Sequence, residues 1–301
     1  MGRYRLGDII RMSRKSLSIT QEQLSEGICS VETLSRIENG SQNPSRDVYE
    51  LLMVRMGRFR ERAYSILSVS DLKVLEKMKL FEESIRLYNY DNAEFILNDI
   101  KKVLGDSTLD KQFLIRAESL INLRKKKITV DEFLEEIERA LLLTIPDLKS
   151  ISLSNWPLSF NEAMLLINMA NAYSEKCDYA KAIGIVEEVY SALNKSYMEE
   201  QQIIVLKITM ANNLSKWYGL INDNEKAIEV AEEGIRLCKK YEFGNALPNL
   251  LYSVAWNTDK LIEKGVLSAD NIGKCHRYLR QAYYIAAAMQ ISPIEQYILK
   301  H

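Results

Sequence analysis

Hydrophobic positions in this chain recur at helical spacing almost from end to end, in two distinct styles. Over residues 4–57 the period marks four or five short helices. Leu6, Ile9 and Ile10 form the apolar face of the first. Thr20 followed by Gln21-Glu22-Gln23-Leu24 reads as an N-cap, with Gln23 completing a capping box. The helix it opens runs out at Gly27, a residue at ease with positive φ. Ser30 caps a third helix over Val31–Glu38, closed by Asn39-Gly40, and Pro44-Ser45 introduces a fourth with Val48, Leu51 and Leu52 facing inward. Two short helices joined by a tight Gly-containing turn are a helix-turn-helix.

From about residue 72 the helices lengthen and repeat. Setting Asp178-Tyr179-Ala180-Lys181-Ala182 over Asp223-Asn224-Glu225-Lys226-Ala227 brings Ala170, Tyr173, Ala182, Val186 and Val189 opposite Ser215, Tyr218, Ala227, Ala231 and Gly234. A third copy keeps Ala255, Cys275, Leu279 and Ala282, with an insertion over residues 264–271 between its helices. Weaker copies run through Phe133, Ile137 and Ala140, and through Ala93, Leu97 and Ile100. Small residues at fixed positions suit helices that cross closely, and five such pairs would stack as a right-handed solenoid. Ser292-Pro293-Ile294-Glu295 is a capping box for a short terminal helix through Leu299, placed to cover the last pair.

Composition supports an all-helical chain, since 301 residues contain only 5 prolines and 12 glycines while 47% are hydrophobic. The net charge of −1 points to no particular partner, but its distribution does. Residues 1–62 hold eleven Arg or Lys against eight Asp or Glu and so carry +3, a modest basic excess that suits a domain meeting phosphates. No apolar run approaches a membrane span, and nothing resembles a secretory signal, so the chain is expected in the cytoplasm. The four cysteines (Cys29, Cys177, Cys238, Cys275) lie far apart and read as reduced thiols. With two histidines, His276 and His301, a metal site or catalytic triad is not expected, and neither is a cofactor.

The stretch Thr20-Gln21-Glu22-Gln23-Leu24-Ser25-Glu26-Gly27-Ile28-Cys29-Ser30, with Leu34-Ser35-Arg36-Ile37-Glu38-Asn39-Gly40 after it, resembles the phage-repressor-like (XRE) helix-turn-helix family. Its spacing is most similar to the RNPP branch and the related Rgg regulators, and the repeats resemble tetratricopeptide repeats. The resemblance implies two domains: a DNA-binding domain with linker over 1–68, and a peptide-sensing and dimerising repeat domain over 72–301. Residues 57–73 would be the linker that transmits movement. The resemblance also pairs Arg14, late in the first helix, with Glu38 as a structural ion pair.

With Leu34 and Ile37 turned to the core, a 100° step puts Glu32 and Arg36 toward the major groove. Arg36 can donate a bidentate pair to guanine, Glu32 can accept from cytosine, and Val31 can touch a thymine methyl. Gln21, Ser30 and Ser35 complete the expected DNA-contacting set, Gln21 by hydrogen-bonding a phosphate. In the repeats, the tetratricopeptide register turns Ile167, Asn171, Thr209, Asn212, Lys216, Asn249, Tyr252 and Trp256 toward the groove. Asn171 and Asn212 are expected at equivalent places on successive repeats, where a carboxamide can clasp peptide C=O and N–H groups. Asn168 and Asn213 lie one step off, and read as ordinary exposed residues.

Together these features describe a homodimeric regulator that binds an inverted-repeat DNA operator and responds to a short signalling peptide, as in Gram-positive quorum sensing. Two alternatives remain at this level. In one the array docks a protein rather than a free peptide; in the other the chain has a phosphatase-like activity, against which the lack of clustered catalytic residues counts.

Overall fold

Among the described residues, four short helices come first: α1 (Leu6–Ser16), α2 (Gln21–Ser25), α3 (Val31–Glu38) and α4 (Arg46–Arg55). Five longer pairs follow: α5 (Val69–Arg86) with α6 (Tyr90–Lys101), α7 (Thr108–Arg124) with α8 (Val130–Leu142), α9 (Phe160–Glu175) with α10 (Tyr179–Leu193), α11 (Glu200–Leu220) with α12 (Asn224–Lys240), and α13 (Leu247–Glu263) with α14 (Ile272–Ala288). A last helix, α15, spans Ser292–Lys300. The computed structural model describes residues 6–57, 69–105, 108–145, 158–193, 200–289 and 292–300, with single positions in the connections between them, and these contain no strand. Residues 58–68 of the expected linker lie outside the described residues.

Capping explains where the short helices start. Thr20 accepts from the Gln23 backbone N–H at 3.2 Å while the Thr20 N–H donates to Gln23 Oε1 at 2.8 Å, closing the capping box. Ser30 and Ser45 accept from Thr33 N–H and Val48 N–H, each at 3.2 Å. The N-terminal core gathers Ile10, Leu24, Leu34, Ile37, Tyr49, Leu52, Met53 and Met56. Two expected faces are rotated. On α1 Leu6 is exposed, and Gly7, Ile10 and Ser13 are the buried positions. The reason is proximity: a Cβ on Gly7 would overlap the Ile37 carbonyl, so α1 crosses α3 on its small residues. On α4 the buried apolar positions are Tyr49, Leu52, Met53 and Val54, with Val48 and Leu51 only half-buried.

The repeat pairs share a turn chemistry. The second helix of four pairs opens on a residue whose side chain accepts a backbone N–H three residues on: Asn89, Thr129, Asp178 and Asp223. A non-glycine residue with positive φ precedes each cap closely: Tyr88 at 60°, Lys126 at 56°, Cys177 at 62° and Asn222 at 67°. Such residues turn the chain sharply out of the first helix, satisfying carbonyls at its C-terminus. The matched positions Ala93, Ala170, Ala182, Val186, Ala227, Ala231 and Ala282 are all sealed from solvent.

By packing, the chain divides into two units, Met1–Ala172 with Glu187–Glu200, and Tyr173–Val186 with Gln201–His301. The first therefore joins the helix-turn-helix region to the first repeats. Asp47 of α4 accepts from Thr108 N–H at 2.9 Å and from its hydroxyl at 2.7 Å, capping α7 from another element. Arg55, 4% exposed, donates to the Glu26 carbonyl and lies 4.9 Å above the Trp156 ring. Burial pulls its guanidinium below the usual value, against the opposing charges of Glu162 and Glu26. Leu51 and Val54 face the same junction, with Leu109 and Thr144, which is why α4 spreads its apolar residues over two faces.

In the second unit, α12 and α13 approach through Gly234, where a Cβ would stand 2.9 Å from Leu250 methyls. At Gly219 a Cβ would stand 2.6 Å from Asn257 Oδ1. Asn257 and Asn224 are buried and hydrogen-bonded at 2.9 Å, and Lys264 Nζ donates to Asn224 Oδ1 at 2.6 Å. The terminal helix α15 packs on α13 and α14, burying Ile298 and setting Tyr297 edge-on to Tyr252 at 5.3 Å. Gly7→Ala is expected to force α1 and α3 apart and to destabilise the N-terminal domain by about 1–3 kcal/mol. Faster hydrogen exchange of α1 and α3 amides, with those of α13 unchanged, is the readout.

Candidate functional site

Helix α3 has one buried face, Leu34, Ile37 and Glu38, and one open face on which Glu32 and Arg36 are exposed and Val31 and Ser35 half-buried. Ser30 Oγ is engaged as the cap and lies 3.1 Å from Thr33 Oγ1. The Glu32 carboxyl is held below its ordinary value by its own backbone N–H and then by the Ser30 hydroxyl, so it stays anionic on this face.

Behind the open face Glu38 is 4% exposed. Arg14 Nε donates to Glu38 Oε1 at 2.6 Å and an Arg14 terminal nitrogen to Oε2 at 2.7 Å, a bidentate pair. The other Arg14 nitrogen donates to the Ile19 carbonyl at 2.8 Å. Gln21 Nε2 donates to Glu38 Oε2 at 2.8 Å, so this amide is tied to the ion pair. Burial, the largest single influence, raises the Glu38 pKa. Hydrogen bonds from Arg14 and Gln21, and the charges of Arg14 and Arg11, together outweigh it and hold the carboxyl below its ordinary value. Arg14 is raised in turn, first by its hydrogen bond to Glu38.

Sequence reasoning missed two cations here. Arg11 and Lys15, exposed on α1, line a cleft of about 550 Å³ with Thr20, Gln21, Ser35 and Asn39, alongside the open face of α3. Their i, i+4 spacing on the flank away from Ile10 was the available signal.

The expected groove residues fare unevenly. Ile167 is 1% exposed and belongs to the core, so it offers no surface to a ligand. The 45-residue register itself sets Asn212 over Ile167 and Lys216 over Asn171, so Asn171 and Asn212 are not equivalent. Asn171, Asn212 and Asn249 are half-buried and Lys216 is exposed. The Thr209 hydroxyl donates to the Val205 carbonyl of its own helix at 2.8 Å. Tyr252 packs against the second unit's core and Tyr297, and burial followed by Tyr297 pushes its hydroxyl pKa up. Trp256 lies 5.7 Å beneath Lys260 Nζ. Asn168 and Asn213, read as ordinary surface residues, prove equivalent in register, and in both the carboxamide nitrogen is buried without a hydrogen-bond partner. A buried N–H left unpaired is costly unless something else accepts it.

A helix-turn-helix domain at the N-terminus of a helical repeat array is thus the class that the fold defines. Residues 10–57 match the helix-turn-helix family model. The fold over nearly the whole chain is that of PlcR from Bacillus thuringiensis, solved in complex with the peptide PapR7 and DNA: 18% identity, TM-score 0.65, covering 99% of this chain and 100% of that one. It is shared with ComR from S. thermophilus, solved in complex with DNA and its signalling peptide ComS, at 14% identity and TM-score 0.54, covering 98% and 97%. The apo form of PlcR matches at 17% identity and TM-score 0.60, covering 98% of both chains. No curated protein matches the sequence.

Removing one partner of a buried ion pair leaves the other charge unpaired, so Arg14→Ala should destabilise the N-terminal domain by about 3–5 kcal/mol. Because the Glu38 pKa is depressed on folding, its contribution is present above the unfolded-chain value of about 4.3 and is lost as pH falls through the lower folded value. Acid titration followed by hydrogen exchange at α2 and α3 should show this loss in the wild type, and Glu38→Gln should flatten it.

Proposed function

We propose that the chain is a sequence-specific DNA-binding transcription regulator whose repeat array binds a short signalling peptide. The observation that carries the DNA half is the open face of α3. It presents Val31, Glu32, Ser35 and Arg36 beside the cations Arg11 and Lys15, and is backed by the rigid Arg14–Glu38–Gln21 cluster. Base-reading groups and phosphate-holding groups stand next to each other, as major-groove recognition requires. Residues 1–68 serve as the DNA-binding part and residues 72–301 as the sensing and dimerising part. The regulator works in the cytoplasm as a homodimer on an inverted-repeat operator.

For the peptide half, support comes from the unpaired carboxamide nitrogens of Asn168 and Asn213, together with the fold shared with PlcR and ComR, which were solved with peptides bound. Each amide has a donor in want of an acceptor; both nitrogens are enclosed in half-buried side chains, so a peptide carbonyl reaches them as the neighbouring side chains part on binding. Peptide acts on DNA binding only through its different affinity for the array's alternative arrangements.

Arg36→Ala should lose about 1–3 kcal/mol at one base position of the operator and relax specificity there. Equal affinity of wild type and variant for operator and scrambled DNA sinks the DNA half. Asn168→Ala and Asn213→Ala should each weaken peptide binding about 5- to 150-fold while sparing DNA binding by the peptide-free protein. Fluorescence polarisation with candidate peptides measures this. If no free peptide binds, or neither substitution alters affinity, the array is a docking scaffold for a protein instead.

A further inference from the structure

In the second unit a cleft of about 460 Å³ is lined by α12, α13 and α14. That volume lies within the range of ligand pockets, about 300–1,000 Å³. Its base is apolar: Leu247 and Leu251 of α13, with Tyr278 of α14, all part of or packed on the unit's core. Its rim is cationic: Lys239 of α12 with Lys274 and Arg277 of α14. All three cations are exposed. Lys274 lies 3.7 Å from Glu232 and 5.8 Å above the Tyr278 ring, a loose engagement. Lys239 and Arg277 form no ion pair among the described residues.

We infer that this cleft docks an acidic segment of a partner protein, one that carries apolar side chains between its carboxylates. The charge pattern selects the occupant. Carboxylates pair with the three rim cations, and an aliphatic or aromatic anchor covers Leu247, Leu251 and Tyr278. A nucleic-acid backbone would satisfy the cations but leave the apolar floor wet. Neither asparagine assigned to a signalling peptide lines it, and the inference stands whether or not that assignment holds.

The test uses the full chain and fluorescence polarisation with a labelled peptide of Glu and Asp residues around a central Leu-Trp-Leu. Saturable binding is expected, weakened about tenfold or more in the triple variant K239Q/K274Q/R277Q, equivalent to about 1.4 kcal/mol or more. Replacing Leu-Trp-Leu by Gly-Ser-Gly should weaken it similarly. The thermal midpoint of the variant is compared with wild type, and if it falls, Arg277→Gln alone is used. Asn213→Ala should leave probe binding intact, and Arg277→Gln should leave operator binding intact, so failure here is distinct from failure of the peptide-sensing reading. Three results overturn the inference: no saturable binding, equal binding by the variant, or displacement of the probe by unrelated DNA of equal charge.

Discussion

Glu38 occupies a place that electrostatics disfavours twice, at the C-terminal end of a helix and nearly out of water. A carboxylate persists there because Arg14 grips both oxygens and Gln21 shares one of them. These three residues come from α3, α1 and the start of α2, so a single charge fixes how three short helices meet. Helices this short hold little structure alone. The direction in which Arg36 and Glu32 point therefore depends on a cluster that lies behind their face of α3.

A comparable economy runs through the repeats. Each hairpin is defined by a left-handed residue close before an N-cap, and the helices beyond it approach through alanine, valine or glycine. The last pair departs from this. Its turn uses Gly265 at φ 71°, and no side chain caps α14. The insertion over 264–271 replaces the cap with a short 3-10 turn, Ala269–Asn271, while Lys264 reaches back to Asn224. The cleft with the basic rim lies beside α14, in the pair where the repeat is least regular.

Features set by local chemistry were legible in the sequence. Thr20, Ser30, Ser45, Asp178 and Asp223 mark helix starts because a side-chain oxygen three residues from a free N–H works in any context. Features set by neighbours distant in the chain were not. Leu51 looked like a core position, yet with Val54 it faces the first repeats, and nothing near Arg55 in sequence announces Trp156. In the same way Ile167 shares a helical stripe with polar residues, but its neighbours seal it. The asparagines illustrate the limit. Periodicity places Asn168 and Asn171 within one turn, and only the surrounding packing shows which carboxamide nitrogen lacks a partner.

The cap that Asp47 supplies to Thr108 has a consequence for how the chain is made. Helix α7 takes part of its N-terminal satisfaction from a helix some sixty residues earlier rather than from its own flank. Synthesis delivers the N-terminal domain first, and domains fold as they emerge. The carboxylate is thus already in place when Thr108 leaves the ribosome, and the second repeat pair can nucleate against a finished surface. Circular permutation that moved residues 1–57 to the end of the chain would reverse this order, leaving α7 to form uncapped until synthesis was complete.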